Sequence, residues 1–204
     1  MKHTEEQNRK ALKGKRILVV EDDATLAKRI AELFKDFTCE DAVVLHSMDA
    51  AKTAVQENNA PFHLVVMDVM LPANERNYKA ICEHEKKLDE LTQRIMQINS
   101  APATSEENFE LTEARQRRAQ VLSAIQKLIV KNGGIQLVNI WRTNGPENLR
   151  LVPILFLTAI GNEKDVADGL KAAGGIGSWL VKPVASEEII ERSIRLLNQV
   201  QTRT

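Results

Sequence analysis

Glu21, Asp22, Asp23, Asp68, Thr158 and Lys182 are the residues of this chain whose types best suit chemistry, and each stands where an apolar run stops. Arg16–Val20 runs into the three acids, His63–Met67 into Asp68, Val152–Leu157 into Thr158, and Trp179–Val181 into Lys182-Pro183. Carboxylates gathered at one place repel each other unless a cation stands among them. Mg²⁺ is the natural one, because it takes one or two carboxylates, keeps several waters and leaves room for phosphate oxygens. A carboxylate beside that ion can attack phosphorus to give an aspartyl-phosphate. A hydroxyl and an ammonium close by would position and neutralise the transferred group.

Such residues meet only if the runs before them are strands lying side by side. The runs are continuously apolar rather than alternating, which is the pattern of strands covered on both faces, as in a parallel sheet. Ala42–His46 supplies a fifth. Amphipathic patterns lie between them. Leu26, Ile30, Leu33 and Phe34 predict a helix over 24–36 with Asp23 as its N-cap, and 48–58, 162–173 and 186–200 read likewise, with Ser186 capping the last. Strand and helix alternate, so the expected fold class is α/β, a doubly wound five-stranded parallel sheet. In such a sheet ligands bind beyond the carboxyl ends of the strands, where the candidate residues stand.

The alternation breaks after Pro72. Ile81, His84, Leu88, Leu91, Ile95 and Ile98 recur at three- and four-residue spacing, as do Leu111, Ala114, Arg118, Val121, Ile125 and Leu128. That is coiled-coil periodicity in two segments. Asn99–Thr104 is a turn by composition, and Thr104 with Glu107 is a capping-box pattern for the second helix. Residues 75–131 are therefore expected to form an antiparallel helical hairpin, roughly 35 Å long at about 1.5 Å per residue, with its two ends side by side. The domain plan is an N-terminal tail over 1–14, a compact domain built from 15–72 and 133–204, and the inserted hairpin over 73–132. His84 and Arg118 fall on apolar positions of the pattern; a polar notch fixing helix register accounts for them, with a phosphate or partner contact as the lesser reading. The apolar stretch Val121, Leu122, Ile125, Leu128 and Ile129 is wider than a two-helix seam needs. It would pack on the compact domain or against the hairpin of a second protomer in a homodimer.

The composition narrows the class of function. The 204 residues carry 28 Lys+Arg and 28 Asp+Glu, so the zero formal charge gives no electrostatic basis for nucleic-acid or membrane-surface binding. Aromatic residues, at 4%, are too sparse for base stacking. Cys39 and Cys82 have no spaced partners, consistent with a reducing compartment. With no apolar leader and no long apolar run, a soluble, cytoplasmic chain is expected. His3, His46 and His63 show no ligand spacing.

Ile17-Leu18-Val19-Val20-Glu21-Asp22-Asp23, Met67-Asp68-Val69-Met70-Leu71-Pro72, Leu157-Thr158-Ala159 and Lys182-Pro183, in that order, resemble the receiver domain of two-component response regulators. The likeness covers about 16–72 and 133–204 and implies a flavodoxin-like fold. By that resemblance Asp68 is the phosphoacceptor. Glu21, Asp22 and Asp68 form the Mg²⁺ site, Glu21 mostly through water, with Met70 adding its backbone carbonyl. Thr158 would bond the phosphoryl oxygen, Lys182 would pair with it, and the bond before Pro183 would be cis. The implied donor is a histidine kinase or a histidine phosphotransfer protein, and the domain is not an enzyme beyond its own phosphorylation and dephosphorylation.

Three departures stand out. The hairpin sprouts from the rim of the site, where the family passes directly to its next helix; here the helical stretch Gly134–Trp141 follows only afterwards. The family's switch aromatic, usually Tyr or Phe, is Trp179 here, which is either a switch paired with Thr158 or partly packed core. The chain also ends with the last receiver helix, so output is expected by protein contact, through the hairpin or the face of the fourth and fifth sheet strands. Met70 and Ile160, both bulky, border the path of a hydrolytic water in the family, which implies slow loss of the phosphoryl group. The rival reading is a scaffold or adaptor, in which the hairpin assembles constitutively on a receiver-like pedestal. A Mg²⁺-dependent phosphohydrolase ranks last, because Met70 stands where that chemistry needs a second Asp.

Overall fold

Strands made only of apolar residues need cover on both sides, and this one chain supplies two separate helical layers to give it. The computed structural model describes residues 4–38, 40–57, 61–100, 105–159 and 161–202. In chain order the elements are α1 (Glu5–Leu12), β1 (Ile17–Val20), α2 (Ala24–Thr38), β2 (Val43–Leu45), α3 (Met48–Glu57), β3 (Leu64–Asp68) and β4 (Leu71–Pro72). The inserted helices α4 (Glu75–Asn99) and α5 (Ser105–Leu128) follow. The remainder is β5 (Ile129–Val130), α6 (Gly133–Asn144), α7 (Glu147–Arg150), β6 (Ile154–Thr158), α8 (Glu163–Ala172), β7 (Gly177–Val181) and α9 (Ser186–Gln201).

Five strands form one parallel sheet in the order β2-β1-β3-β6-β7, with Val20 beside Met67, Asp68 beside Leu157 and Thr158 beside Val181. Alternate residues point to opposite faces. Leu18, Val20, Val65, Met67, Ile154 and Phe156 pack under α3, α6 and the end of α8. Ile17, Val19, Leu64, Val66, Leu155 and Leu157 pack under α1, α2 and α9. The doubly wound sheet is thus as expected, with each strand edge set within a residue or two. Strand order reverses between β1 and β3, which makes their carboxyl ends the switch point.

Three expectations are corrected. The stretch assigned to a tail carries α1, which opens on a capping box: the Gln7 backbone N–H donates to Thr4 Oγ1 at 3.3 Å and the Thr4 N–H to Gln7 Oε1 at 2.8 Å. Its last residue, Leu12, is wholly buried among α2 and α9 side chains. Ser186 is the first residue of α9 rather than its cap; the extended residue at the N-cap is Ala185, and no side chain caps that end. Arg118 is exposed rather than in the hairpin seam, because a guanidinium turned into a two-helix seam would lose its water without a carboxylate to replace it. Asp23 does cap α2, its Oδ1 accepting from the N–H groups of Thr25 and Leu26 at 2.9 and 3.0 Å.

The insertion enters and leaves through one short antiparallel ribbon, with Leu71 opposite Val130 and Pro72 opposite Ile129. Its ends therefore lie side by side. Asn77 Nδ2 donates to the Leu128 carbonyl at 3.3 Å near the root, and Arg94 pairs with Glu110 at 3.2 Å toward the tip. Ile81 and Ala114 are buried, and the other apolar seam positions are half-buried. Leu122 and Phe109 are exposed, so Leu122 is not covered by the compact domain. Thr104, on which the capping box with Glu107 depends, lies outside the described residues, as do Cys39 and Ile160. Among the described residues no helix is long and apolar enough to cross a membrane.

Candidate functional site

At the switch point β1 and β3 end together. β1 delivers Glu21 and Asp22 and β3 delivers Asp68, so that a carboxylate oxygen from each lies within 4.8 Å of the others. β7 ends one strand beyond β6 and sends Lys182 back across the top. Its Nζ stands 2.7 Å from both Glu21 oxygens and 2.6 Å from Asp68 Oδ2. The Lys182 backbone N–H donates to the Thr158 carbonyl at 2.8 Å, which fixes where the β7 end turns. The Lys182–Pro183 bond is cis. Asp68 Oδ1 accepts from the Met70 N–H at 3.0 Å, so both oxygens of that carboxylate are held.

Close packing behind the site is supplied by Gly134. A Cβ there would sit 2.0 Å from the Asp68 carbonyl oxygen, and the Gly134 N–H donates to the Val69 carbonyl at 3.1 Å. Only a residue without a side chain lets α6 press this closely on the strand end. Thr158 is fully buried at the end of β6, one residue past the partner of Asp68.

The electrostatics suit a bound cation. Burial and the Asp68 charge push the Glu21 carboxyl up to about 8, against the opposing pull of Lys182. Burial and Asp68 likewise push Asp22 up to about 7. Burial draws the Lys182 ammonium down, but the Asp68 and Glu21 carboxylates outweigh it and leave its pKa above the usual value. Three carboxylates share one ammonium in a largely buried cluster, and a divalent ion would offset their charge when they ionise. The donor set, all hard carboxylate oxygens, fits Mg²⁺.

A pH dependence follows. Without divalent ions, the folded chain keeps a proton on Glu21 up to about 8, whereas the unfolded chain releases it near 4.5. The folded state then binds more protons, so stability is full below the lower value and is lost as pH rises through the upper one. Thermal midpoints in chelator are expected to fall from pH 5 to pH 8, by an amount worth on the order of a few kcal/mol. Saturating Mg²⁺ should flatten that slope; a midpoint that climbs with pH in chelator would contradict the charge balance described.

The five-stranded architecture has clear counterparts among solved structures. A putative response regulator from Chloroflexus aurantiacus superposes with a TM-score of 0.54 at 18% identity, over 91% of this chain and 99% of that one. The receiver domain of a Francisella response regulator gives 0.52 at 19% identity, over 91% and 98%. The fold is that of a response regulator receiver. A CheY-like receiver domain protein from Methanospirillum hungatei gives 0.52 at 14% identity, over 93% and 98%. No protein-family model and no curated protein matches the sequence.

Set on the receiver fold, the expected residues divide. Glu21, Asp22, Asp68 and Lys182 converge. Thr158 stands at the adjoining strand end, and Met70 turns its N–H onto Asp68. Trp179 is half-buried, its ring centroid 5.2 Å from that of Phe156. A Cβ on Gly169 would fall 2.5 Å from a Trp179 ring carbon, so the missing side chain in α8 is what admits the larger indole. Its Nε1 is buried without a partner among the described residues. Tight packing favours the core reading of Trp179 over a freely turning ring.

Sequence reasoning missed the residues that the hairpin brings to the rim. Tyr78 stacks on His46, and Glu85 lies close enough to Asp22 and Asp23 for their charges to act on one another. The signal was nonlocal: His46 has no ligand spacing, and Tyr78 belongs to the insertion.

Proposed function

We propose that this chain is a response regulator receiver that accepts a phosphoryl group on Asp68 from a phosphohistidine kinase or phosphotransfer protein. The observation that carries the reading is the meeting of Glu21, Asp22 and Asp68 within 4.8 Å under the Lys182 ammonium. An Asp68 oxygen forms the O–P bond as the donor's N–P bond breaks, and the imidazole departs neutral when its other ring nitrogen carries a proton. Lys182, already bonded to the Asp68 carboxylate, is placed to follow the negative charge onto the acyl phosphate. Thr158 would bond a phosphoryl oxygen from the next strand end. Glu21, Asp22, Asp68 and the Met70 carbonyl would hold Mg²⁺, which when bound would neutralise the carboxylates and the phosphoryl oxygens.

The chain would turn over nothing but its own phosphate. Bulky Met70 beside Asp68 would slow hydrolysis, giving a long-lived signal. Output would pass by protein contact, through the hairpin or the β6–β7 face. Incubation with a small-molecule phosphoryl donor and Mg²⁺ is expected to add one phosphoryl group, stable to mild treatment but released by hydroxylamine. Chelator should abolish the uptake. Incorporation that ignores chelator, or phosphate that resists hydroxylamine, would place the chemistry on another residue.

A further inference from the structure

The inserted hairpin does not simply leave the compact domain; the first turns of α4 lie against the acidic rim. Glu75 Oε1 accepts from Ser47 Oγ at 2.8 Å, and the Asp49 N–H donates to the Ala73 carbonyl at 3.1 Å. One turn further, the Tyr78 ring lies on the His46 imidazole with centroids 4.6 Å apart and planes 11° from parallel. The same imidazole reaches the other way, its Nδ1 2.7 Å from the Glu21 carbonyl oxygen. A carbonyl can only accept, so Nδ1 carries the hydrogen. On its other side the Glu21 N–H donates to the Leu45 carbonyl at 3.0 Å. Both backbone groups of Glu21 are thus held by the segment 45–46, and one of the two holds depends on where an imidazole ring points.

That dependence matters because Glu21 is where β1 stops. The backbone there decides the direction of the Glu21 carboxylate and of Asp22 after it. A histidine ring turns easily about its outer torsion. His46 is half-buried, and the face that pins it is supplied by Tyr78 from the insertion. We propose that His46 and Tyr78 are positioning residues of the cation site, and that the inserted helix serves as its buttress. The chain of contact is Tyr78 ring, His46 ring, Glu21 carbonyl, then the Glu21 and Asp22 carboxylates. The inference rests on the reading of the acidic cluster as a Mg²⁺ site. Outer partners that orient metal ligands contribute about 10–100-fold to affinity.

The test is calorimetric titration of the full chain with Mg²⁺. Tyr78→Ala and His46→Ala are each expected to weaken binding about 10-fold. Tyr78→Phe, which keeps the stacked ring, should stay within about 2-fold of the parent. The double variant should bind no more weakly than either single one, because two links of one chain do not add. Circular dichroism confirms that each variant keeps its helices, and His46→Ala tests the chain without touching the hairpin. Unchanged affinity in both alanine variants overturns the proposal, as does a Tyr78→Phe variant as weak as Tyr78→Ala, or additive losses. A parent chain that takes up no Mg²⁺ overturns both the proposal and the phosphoacceptor reading, whereas parent binding with indifferent variants overturns the buttress alone.

Discussion

Asp68→Asn is expected to reduce hydroxylamine-labile phosphate uptake to background while leaving the fold intact. The amide has no anionic oxygen to attack phosphorus, and Glu21 is poorly placed to take over, being buried with both of its oxygens engaged by Lys182. The fold should tolerate the change because an Asn oxygen can still accept from the Met70 N–H that now bonds Asp68 Oδ1. Asp68 is also the leading charge that raises the Glu21 and Asp22 carboxyls after burial itself. Removing it should lower both pKa values and make the chelator-treated chain less sensitive to pH. Mass spectrometry after exposure to a small phosphoryl donor, with melts across pH, reads both effects. Residual uptake near the parental level would remove Asp68 from the mechanism.

Lys182→Met carries the second large effect, and here chemistry and stability both suffer. The ammonium is the partner of two buried carboxylates, at 2.7 Å from Glu21 and 2.6 Å from Asp68. Breaking a buried pair by deleting one member typically costs about 3–5 kcal/mol, because the remaining charge keeps its desolvation without its partner. The loss should be greatest at high pH in chelator, where the carboxyls would otherwise ionise, and should shrink when Mg²⁺ supplies positive charge. Phosphoryl uptake should slow by about 10²–10³, the scale for losing one charge-stabilising donor. Melts with and without Mg²⁺ and a single-turnover uptake assay separate the two losses. A variant that matches the parent in chelator would show that Lys182 contributes nothing to holding the acidic cluster together.

The parts of this fold that could be read from the sequence are those where one local pattern has one physical meaning. Leu64–Met67 has no polar side chain to turn toward water, so it reads as a strand covered twice, and the Asp68 after it reads as a strand end. The hairpin was legible because its spacing runs through two long helices. Legibility failed where a short signal competes with its surroundings. Thr4 and Gln7 form a capping box that an eight-residue helix gives little chance to notice, and the helix is docked by tertiary contacts, with Leu12 buried against α2 and α9 and Arg9 bonded to the Asp36 carbonyl. Ser186 looks like a cap, but the extended backbone at Ala185 starts the helix one residue earlier than the side chain suggests. The His46–Tyr78 stack joins a loop after β2 to an insertion after β3, and no spacing rule links positions that meet only through the fold.

The ribbon of β4 and β5 begins three residues after Asp68. It therefore joins the acidic rim to an arm of about 37 Å, taking 25 residues of α4 at about 1.5 Å each. A tilt of about ten degrees at its root would sweep the tip through roughly 6 Å by the same measure. A displacement too small to see beside Asp68 would thus become, at Arg94 and Glu110, a shift as wide as a side chain is long.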